Sequence, residues 1–341
     1  MSGIISDNKS RSSGLVKAGA GGVPTIAGDK SPATAGDIWY NSSTTELRCY
    51  IPVAAWSAGG NLGESNRQNW GSGTQTAALV AGGGEGATAS DVTQEYNGSS
   101  WASTNPIVKP AGGFHTMAGT QTSTLLNGGN WIVATSETYD GSCWTAGTDA
   151  PTALYSAGGF GASATSNGVV GGYSGALEDD TYTWDGSSWS AAGLIPQGRY
   201  HYQTCGVVTA ALAISGALTW PTHVAEVDIF DGTSWSDTGN DYPLTISQGA
   251  AVGSTTDCFV ALGYNWSASP AAHTDKTYTY DGSSWSAGTA YPDDGTQQAS
   301  SCGVTSTSAF AMFGGVLSGS TTNLTYEWSD APTNATITTS T

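Results

Sequence analysis

Five times along the chain the same short text recurs: an aromatic residue, an Asn-Gly or Asp-Gly pair, two small residues and a tryptophan. The copies are Tyr96-Asn97-Gly98-Ser99-Ser100-Trp101, Tyr139-Asp140-Gly141-Ser142-Cys143-Trp144, Trp184-Asp185-Gly186-Ser187-Ser188-Trp189, Phe230-Asp231-Gly232-Thr233-Ser234-Trp235 and Tyr280-Asp281-Gly282-Ser283-Ser284-Trp285. Asn-Gly and Asp-Gly between strand-like residues signal a hairpin, because Gly and Asn/Asp tolerate the positive φ that such turns need. Recurrence at a near-constant interval makes this a repeat architecture, in which each unit buries its apolar face against its neighbours.

The spacing extends the pattern to six repeats. After each tryptophan comes a polar strand, then an apolar strand ending in glycine. Trp56 lies 27 residues before Gly83, and the corresponding intervals from Trp101, Trp144, Trp189, Trp235 and Trp285 are 27 to 29. The sixth repeat is cut short, since Thr325-Tyr326-Glu327-Trp328 matches Thr277-Tyr278-Thr279-Tyr280 but no turn and tryptophan follow. Trp56, near the front, has no turn before it. A ring of four-stranded sheets removes its open edges only when the last sheet is completed. The expectation is an all-β, six-bladed β-propeller over residues 52–331, closed by an N-terminal strand near Trp56. Trp56, Trp101, Trp144, Trp189, Trp235 and Trp285 are its structural repeat positions.

Composition agrees with a turn-rich all-β chain. The 341 residues include 48 Gly, 13 Trp and 15 Tyr, with charged residues at 11%, well below the usual share. With 27 acidic and 9 basic residues the net charge is −18, which argues against phosphate-neutralising contacts to nucleic acid and against anionic membrane surfaces. No apolar run is long enough to insert into a bilayer. Residues 1–16 lack the apolar core of a signal peptide, so synthesis in a cytoplasm is expected, with retention there or release by a route other than secretion. Five cysteines without a C-x-x-C pair (Cys49, Cys143, Cys205, Cys258, Cys302) suggest buried reduced thiols.

Ahead of the repeats, residues 1–36 show no apolar periodicity and carry Lys9, Arg11, Lys17 and Lys30 against Asp7 and Asp29. They are expected to form an extended attachment arm that orders on a partner. Residues 37–51 follow as a small β-hairpin, with Ile38 and Tyr40 alternating against Leu47 and Cys49. A lone hairpin is marginal and needs something to pack on. Residues 332–341 are expected as a C-terminal tail.

From residue 56 to 328 the chain resembles the kelch family of β-propellers. Its glycine pairs (Gly82 to Gly84, Gly128-Gly129, Gly171-Gly172, Gly314-Gly315) and its Tyr96/Trp101, Tyr139/Trp144 and Tyr280/Trp285 couples match that family's marks. Pro196-Gln197-Gly198-Arg199-Tyr200-His201 is similar to the stretch before its first strand. Repeats four and five depart from it at Ser215-Gly216 and at the single Gly263. Over residues 1 to about 100 the wording resembles fibre and decoration proteins of marine tailed phages, in Gly36-Asp37-Ile38-Trp39-Tyr40-Asn41 and Gly73-Thr74-Gln75-Thr76. That resemblance implies a virion protein, made in the host cytoplasm, homo-oligomeric on the particle and bound to other virion proteins through residues 1–50.

Candidate chemistry is sparse. The Asp residues of the turns are explained by backbone geometry. A sialidase would need three arginines on its carboxylate substrate, and outside the arm only Arg48, Arg67 and Arg199 exist. Copper oxidation needs clustered Tyr, His and Cys, whereas His115, His201, His223 and His273 are far apart in sequence. No catalytic, cofactor or metal residues are assigned, and a hydrolase or oxidase is the least favoured reading. In a propeller the loops joining second to third strands and fourth to first strands share one face. The second-to-third loops vary in length and bring Trp131, Tyr173, Trp220, Tyr264 and Trp266. Exposed indole and phenol rings beside polar groups suit a sugar or a protein surface. The expectation is a non-enzymatic structural or adhesion protein of a phage particle, contacting a host surface or other virion proteins; the alternative is a glycan-binding propeller.

Overall fold

In the computed structural model, residues 23–336 are described except 35, 53, 85–88, 110–111, 130–131, 220, 269, 271, 294–295, 304–309, 318–319 and 330–331. All regular structure among the described residues is β-strand. The chain divides into two units, Ala54–Asp330 and Met1–Val53 with Ala331–Thr341.

The larger unit repeats one antiparallel, four-stranded sheet, and its fold is all-β and propeller-like. The first sheet runs Trp70–Thr74, Ala77–Ala81, Thr93–Tyr96 and Trp101–Thr104, each strand beside the next. Four further sheets begin at Thr116, Gly158, Gln203 and Ala250 and keep the same order. The sixth takes Ser300–Cys302, Phe310–Phe313 and Thr325–Ser329 from one end of the unit and Ala55–Ala58 from the other, with Trp328 opposite Trp56. Second strands are buried because both their faces are apolar: Leu79, Val80, Leu125, Leu126, Val169, Val170, Phe259 and Val260 are almost inaccessible.

The repeated tryptophans do two things at once. Each lies opposite the aromatic residue before its turn, Tyr96 with Trp101, Tyr139 with Trp144, Trp184 with Trp189, Phe230 with Trp235 and Tyr280 with Trp285, at centroid distances of 4.9 to 5.3 Å. Each also donates its indole N–H to the sheet before its own or to the segment just after that sheet's last strand. Trp144 bonds Thr93 Oγ1 (2.9 Å), Trp189 the Thr148 carbonyl (3.0 Å), Trp235 Thr181 Oγ1 (2.8 Å) and Trp285 the Asn240 carbonyl (3.1 Å). Trp56 bonds the Thr289 carbonyl (3.2 Å), and Trp101 of the first sheet reaches Thr325 Oγ1 of the sixth (2.9 Å).

The turns differ in detail from the sequence expectation. Only the glycine takes positive φ (Gly98, Gly141, Gly186, Gly232 and Gly282, 86° to 93°), while the preceding Asn or Asp stays out of that region. Its side chain does the work instead. Asp281 Oδ1 accepts from the N–H groups of Ser283 (2.9 Å) and Ser284 (2.8 Å), and Asn97 does the same for Ser99 and Ser100. These are Asx turns, in which a short acceptor satisfies the backbone two and three residues on. The resulting hydrogen bonds hold the carboxyls of Asp140, Asp185 and Asp281 down to about 2.

Glycine at the end of the second strand also has a backbone reason. The pairs Gly128-Gly129, Gly171-Gly172 and Gly314-Gly315 are left-handed throughout, and Ser215-Gly216 and Leu262-Gly263 adopt the same conformation. Ser215 holds it with its hydroxyl, which accepts from the Ile246 N–H (2.9 Å) and donates to the Val224 carbonyl (2.6 Å). The sequence departures in repeats four and five therefore change the residue and keep the bend.

In the smaller unit, Ile38–Asn41 pairs antiparallel with Glu46–Pro52, Ile38 facing Cys49 and Tyr40 facing Leu47. Pro332–Thr336, expected only as a tail, pairs antiparallel with Glu46–Pro52, and Thr25–Ile26 adds in parallel on the far side. A β-branched, threonine-rich end thus supplies the edge partner that a lone hairpin lacks. Residues 1–22 of the attachment arm lie outside the described residues. Cys49, Cys205, Cys258 and Cys302 are buried thiols, but Cys143, in its turn, is exposed.

Candidate functional site

Two positions before each sheet's first strand stands a non-glycine residue in the left-handed region: Gln68, Phe114, Ser156, His201, Gln248 and Gln298, with φ from 53° to 69°. Left-handed backbone costs a residue with a Cβ about 1 kcal/mol or more. Here it directs each peptide at the next sheet. The N–H of Phe114 donates to the Gln68 carbonyl (3.1 Å), Ser156 to Phe114 (3.1 Å), His201 to Ser156 (3.1 Å), Gln248 to His201 (3.2 Å) and Gln298 to Gln248 (2.8 Å). The Gln68 N–H donates to the Gln298 carbonyl (3.1 Å), so the bonds return to where they began.

These residues line a pocket that opens to solvent and has a cavity volume of about 60 Å³. Side chains continue the hydrogen-bonded order on one side of it. The Gln298 amide N–H donates to Gln248 Oε1 (3.1 Å), the Gln248 amide N–H lies 3.3 Å from His201 Nε2, and His201 Nδ1 lies 2.7 Å from Ser156 Oγ. A glutamine N–H can only donate, so Nε2 accepts and Nδ1 carries the proton. The imidazole is neutral: burial, with His223 second, pulls its pKa down to about 3. Among the described residues, none that lines the pocket bears a charged side chain. Gln203 Oε1, Gln298 Oε1 and Asn69 Nδ2 are buried at its wall without a hydrogen-bond partner among the described residues.

Aromatic rings surround the site. Phe114 meets Tyr155 and His201, each at 4.8 Å; Tyr200 lies 4.6 Å from His201, and Tyr173 lies 6.2 Å from Tyr200. A second group sits on a small sheet of Ile246–Ser247, Tyr264–Asn265 and Ala272–His273. There Trp266 stacks on His223 (4.1 Å, 11°), Tyr264 packs on Trp266 (4.7 Å) and His273 meets Tyr264 (5.4 Å). The Trp266 indole N–H is held by Ser247 Oγ (3.0 Å).

Of the candidate loop aromatics, Tyr264 and Trp266 are thus brought together, half-buried, and Tyr173 is exposed beside the Tyr200–His201 side of the pocket. Trp131 and Trp220 lie outside the described residues. The pocket residues themselves escape a sequence reading centred on long loops. His115 and His201, which fall at similar points of their repeats, are one position out of step. His201 lines the pocket, while His115 is fully buried, its Nδ1 3.5 Å from the Gly112 carbonyl and its pKa pulled down to about 4 by burial. The available signal was glutamine at the same station in three repeats, Gln68, Gln248 and Gln298.

No family model matches the chain, and no curated protein matches it. Its backbone matches 252 solved chains. Among them is the structure of YjhT, at a TM-score of 0.63 and 12% identity, covering 81% of this chain and 99% of that one. Likeness at that identity speaks for the fold alone.

Proposed function

We propose that the chain is a non-enzymatic structural and adhesion protein of a phage particle: a six-bladed, kelch-like propeller held by its N-terminal segment and presenting its loop-bearing face to a host surface or to another virion protein. The six sheets are its blades, and Ala55–Ala58 closes the ring as the outer strand of the sixth. The cycle of six backbone bonds and the indole bond from Trp101 to Thr325 support that closure.

The observation that carries the recognition role is the difference between the two faces. Turns between third and fourth strands are short and built alike around an Asx acceptor. The opposite end of the strands gathers the aromatic groups, the pocket and loops of unequal length. Variable loops on a rigid frame are the usual place for binding. The resemblance of residues 1 to about 100 to phage fibre and decoration proteins supports the particle, and the arm and hairpin are its attachment. On the particle the protein is a homo-oligomer, made in the host cytoplasm.

Particles assembled with a chain lacking residues 1–36 test this. The truncated protein should fold, with an unchanged thermal transition for the larger unit, and be missing from purified particles; normal incorporation would overturn the reading. A second reading, a glycan-binding propeller, is favoured by the neutral, amide-lined pocket on the same face.

A further inference from the structure

We infer that the pocket bounded by Gln68, Phe114, Ser156, His201, Gln248 and Gln298 is a subsite for one neutral, polyhydroxylated ring, a sugar residue without carboxylate or phosphate. This rests on the reading of that face as the recognition face and is independent of the particle.

The chemistry of the wall selects the ligand. Its polar side chains are amides, hydroxyls and one neutral imidazole, which both donate and accept, as a diol does. The relay from Gln298 through Gln248 and His201 to Ser156 spends donors in one direction. It leaves Gln298 Oε1 as a buried acceptor at its end, and Gln203 Oε1, 1% exposed in residue terms, as a second. Asn69, 3% exposed, offers the donor: its Oδ1 is taken by the Ser300 hydroxyl (2.7 Å), and its Nδ2 is unmatched among the described residues. Unmatched acceptors and a donor at a buried, neutral wall suit hydroxyl groups, each of which gives one proton and takes another. Beside this wall Phe114 packs on Tyr155 and His201, each at 4.8 Å, an apolar edge of the kind that suits the C–H side of a sugar. An anion would find no cation there among the described residues, and the net charge of −18 repels it.

The full chain, purified, is titrated with methyl β-galactoside, methyl α-glucoside, methyl α-mannoside and N-acetylglucosamine, with glucuronate as the anionic comparison. Binding is read by saturation-transfer NMR and calorimetry. At least one neutral sugar should saturate with a Kd of about 1–10 mM, the range for a single small ring. Gln298→Leu should weaken it about tenfold or more by removing the terminal acceptor. His201→Asn, which keeps a residue tolerant of left-handed backbone, should do so too by breaking the relay, and it serves should Gln298→Leu not fold. Leu194→Ser, exposed and outside the pocket, should leave the Kd unchanged. The inference is overturned by no saturation with any neutral sugar, the pocket then holding water only; by tighter binding of glucuronate; or by unchanged affinity in a folded pocket variant. Absent sugar binding, with the full chain incorporated into particles and the chain lacking residues 1–36 missing from them, would remove this subsite and leave the attachment role in place.

Discussion

Replacing Trp56 with alanine should detach Ala55–Ala58 from the sixth sheet before the rest of the larger unit unfolds. The indole lies edge-on to Trp328 (5.1 Å) and Tyr291 (5.0 Å), meets Phe259 at 5.9 Å, and bonds the Thr289 carbonyl. Trp101 holds the same station in the first sheet, 4.9 Å from Tyr96 and bonded to Thr325. Truncating a well-packed tryptophan costs ~3–5 kcal/mol, and half-burial places both near the lower end. Connectivity separates them. Trp101 follows Tyr96 across a four-residue turn, whereas Trp56 and Trp328 are about 270 positions apart. Ala55–Ala58 is joined to the rest of the unit through residues 59–69 alone, so it can leave its partner while the other sheets stay folded, whereas Trp101–Thr104 is continued by the unit on both sides. W56A should therefore lose hydrogen-exchange protection selectively in peptides covering Thr325–Ser329. W101A should lose a similar stability in denaturant while the exchange order of its strands is kept. Global protection of Thr325–Ser329 in W56A, or the same exchange pattern in both variants, would refute the reasoning.

Two further predictions concern charge. The Asp281 carboxyl is held at about 2, first by the Ser283 hydroxyl and then by the Ser284 N–H, below an unfolded value of about 3.9. Its contribution is complete above about pH 4 and is lost as pH falls towards 2. Asp281→Asn copies Asn97, so thermal melts should match the parent at pH 7 and show a shallower decline from pH 4 to 2; equal declines would count against the Asx account. Arg199 is fully buried between Asp228 and Glu226, and burial holds the Asp228 carboxyl above the ordinary range despite the guanidinium. Arg199→Met leaves Asp228 buried without its cation and should cost about 3–5 kcal/mol in urea unfolding, much of it recovered in the Arg199→Met/Asp228→Asn pair; an unchanged midpoint would sink this.

How much of this was legible beforehand depended on the range over which each feature acts. The tryptophan stations could be placed from spacing alone, because Tyr280 and Trp285 meet across a turn of four residues. The turn residues were also recognisable, though the acceptor role of Asp281 differs from the positive φ first attributed to it. The strand at Pro332–Thr336 was not legible: threonine-rich ends are ambiguous until an unpaired edge, here Glu46–Pro52, is available to them. Cys143 was expected to be buried and is exposed, since it occupies a turn position that serine fills elsewhere.

The sequence by itself determined the strands and turns of the repeats, because these rest on contacts within about thirty residues and on alternation and turn chemistry that recur from copy to copy. Only the tertiary structure decided the site. Gln68, Phe114, Ser156, His201, Gln248 and Gln298 are of four residue types and lie in six different repeats. They meet because left-handed backbone at one station of each repeat passes a hydrogen bond to the next. Backbone geometry of that kind leaves little mark on side-chain pattern, so Phe114, Ser156 and His201 join the same cycle as the three glutamines.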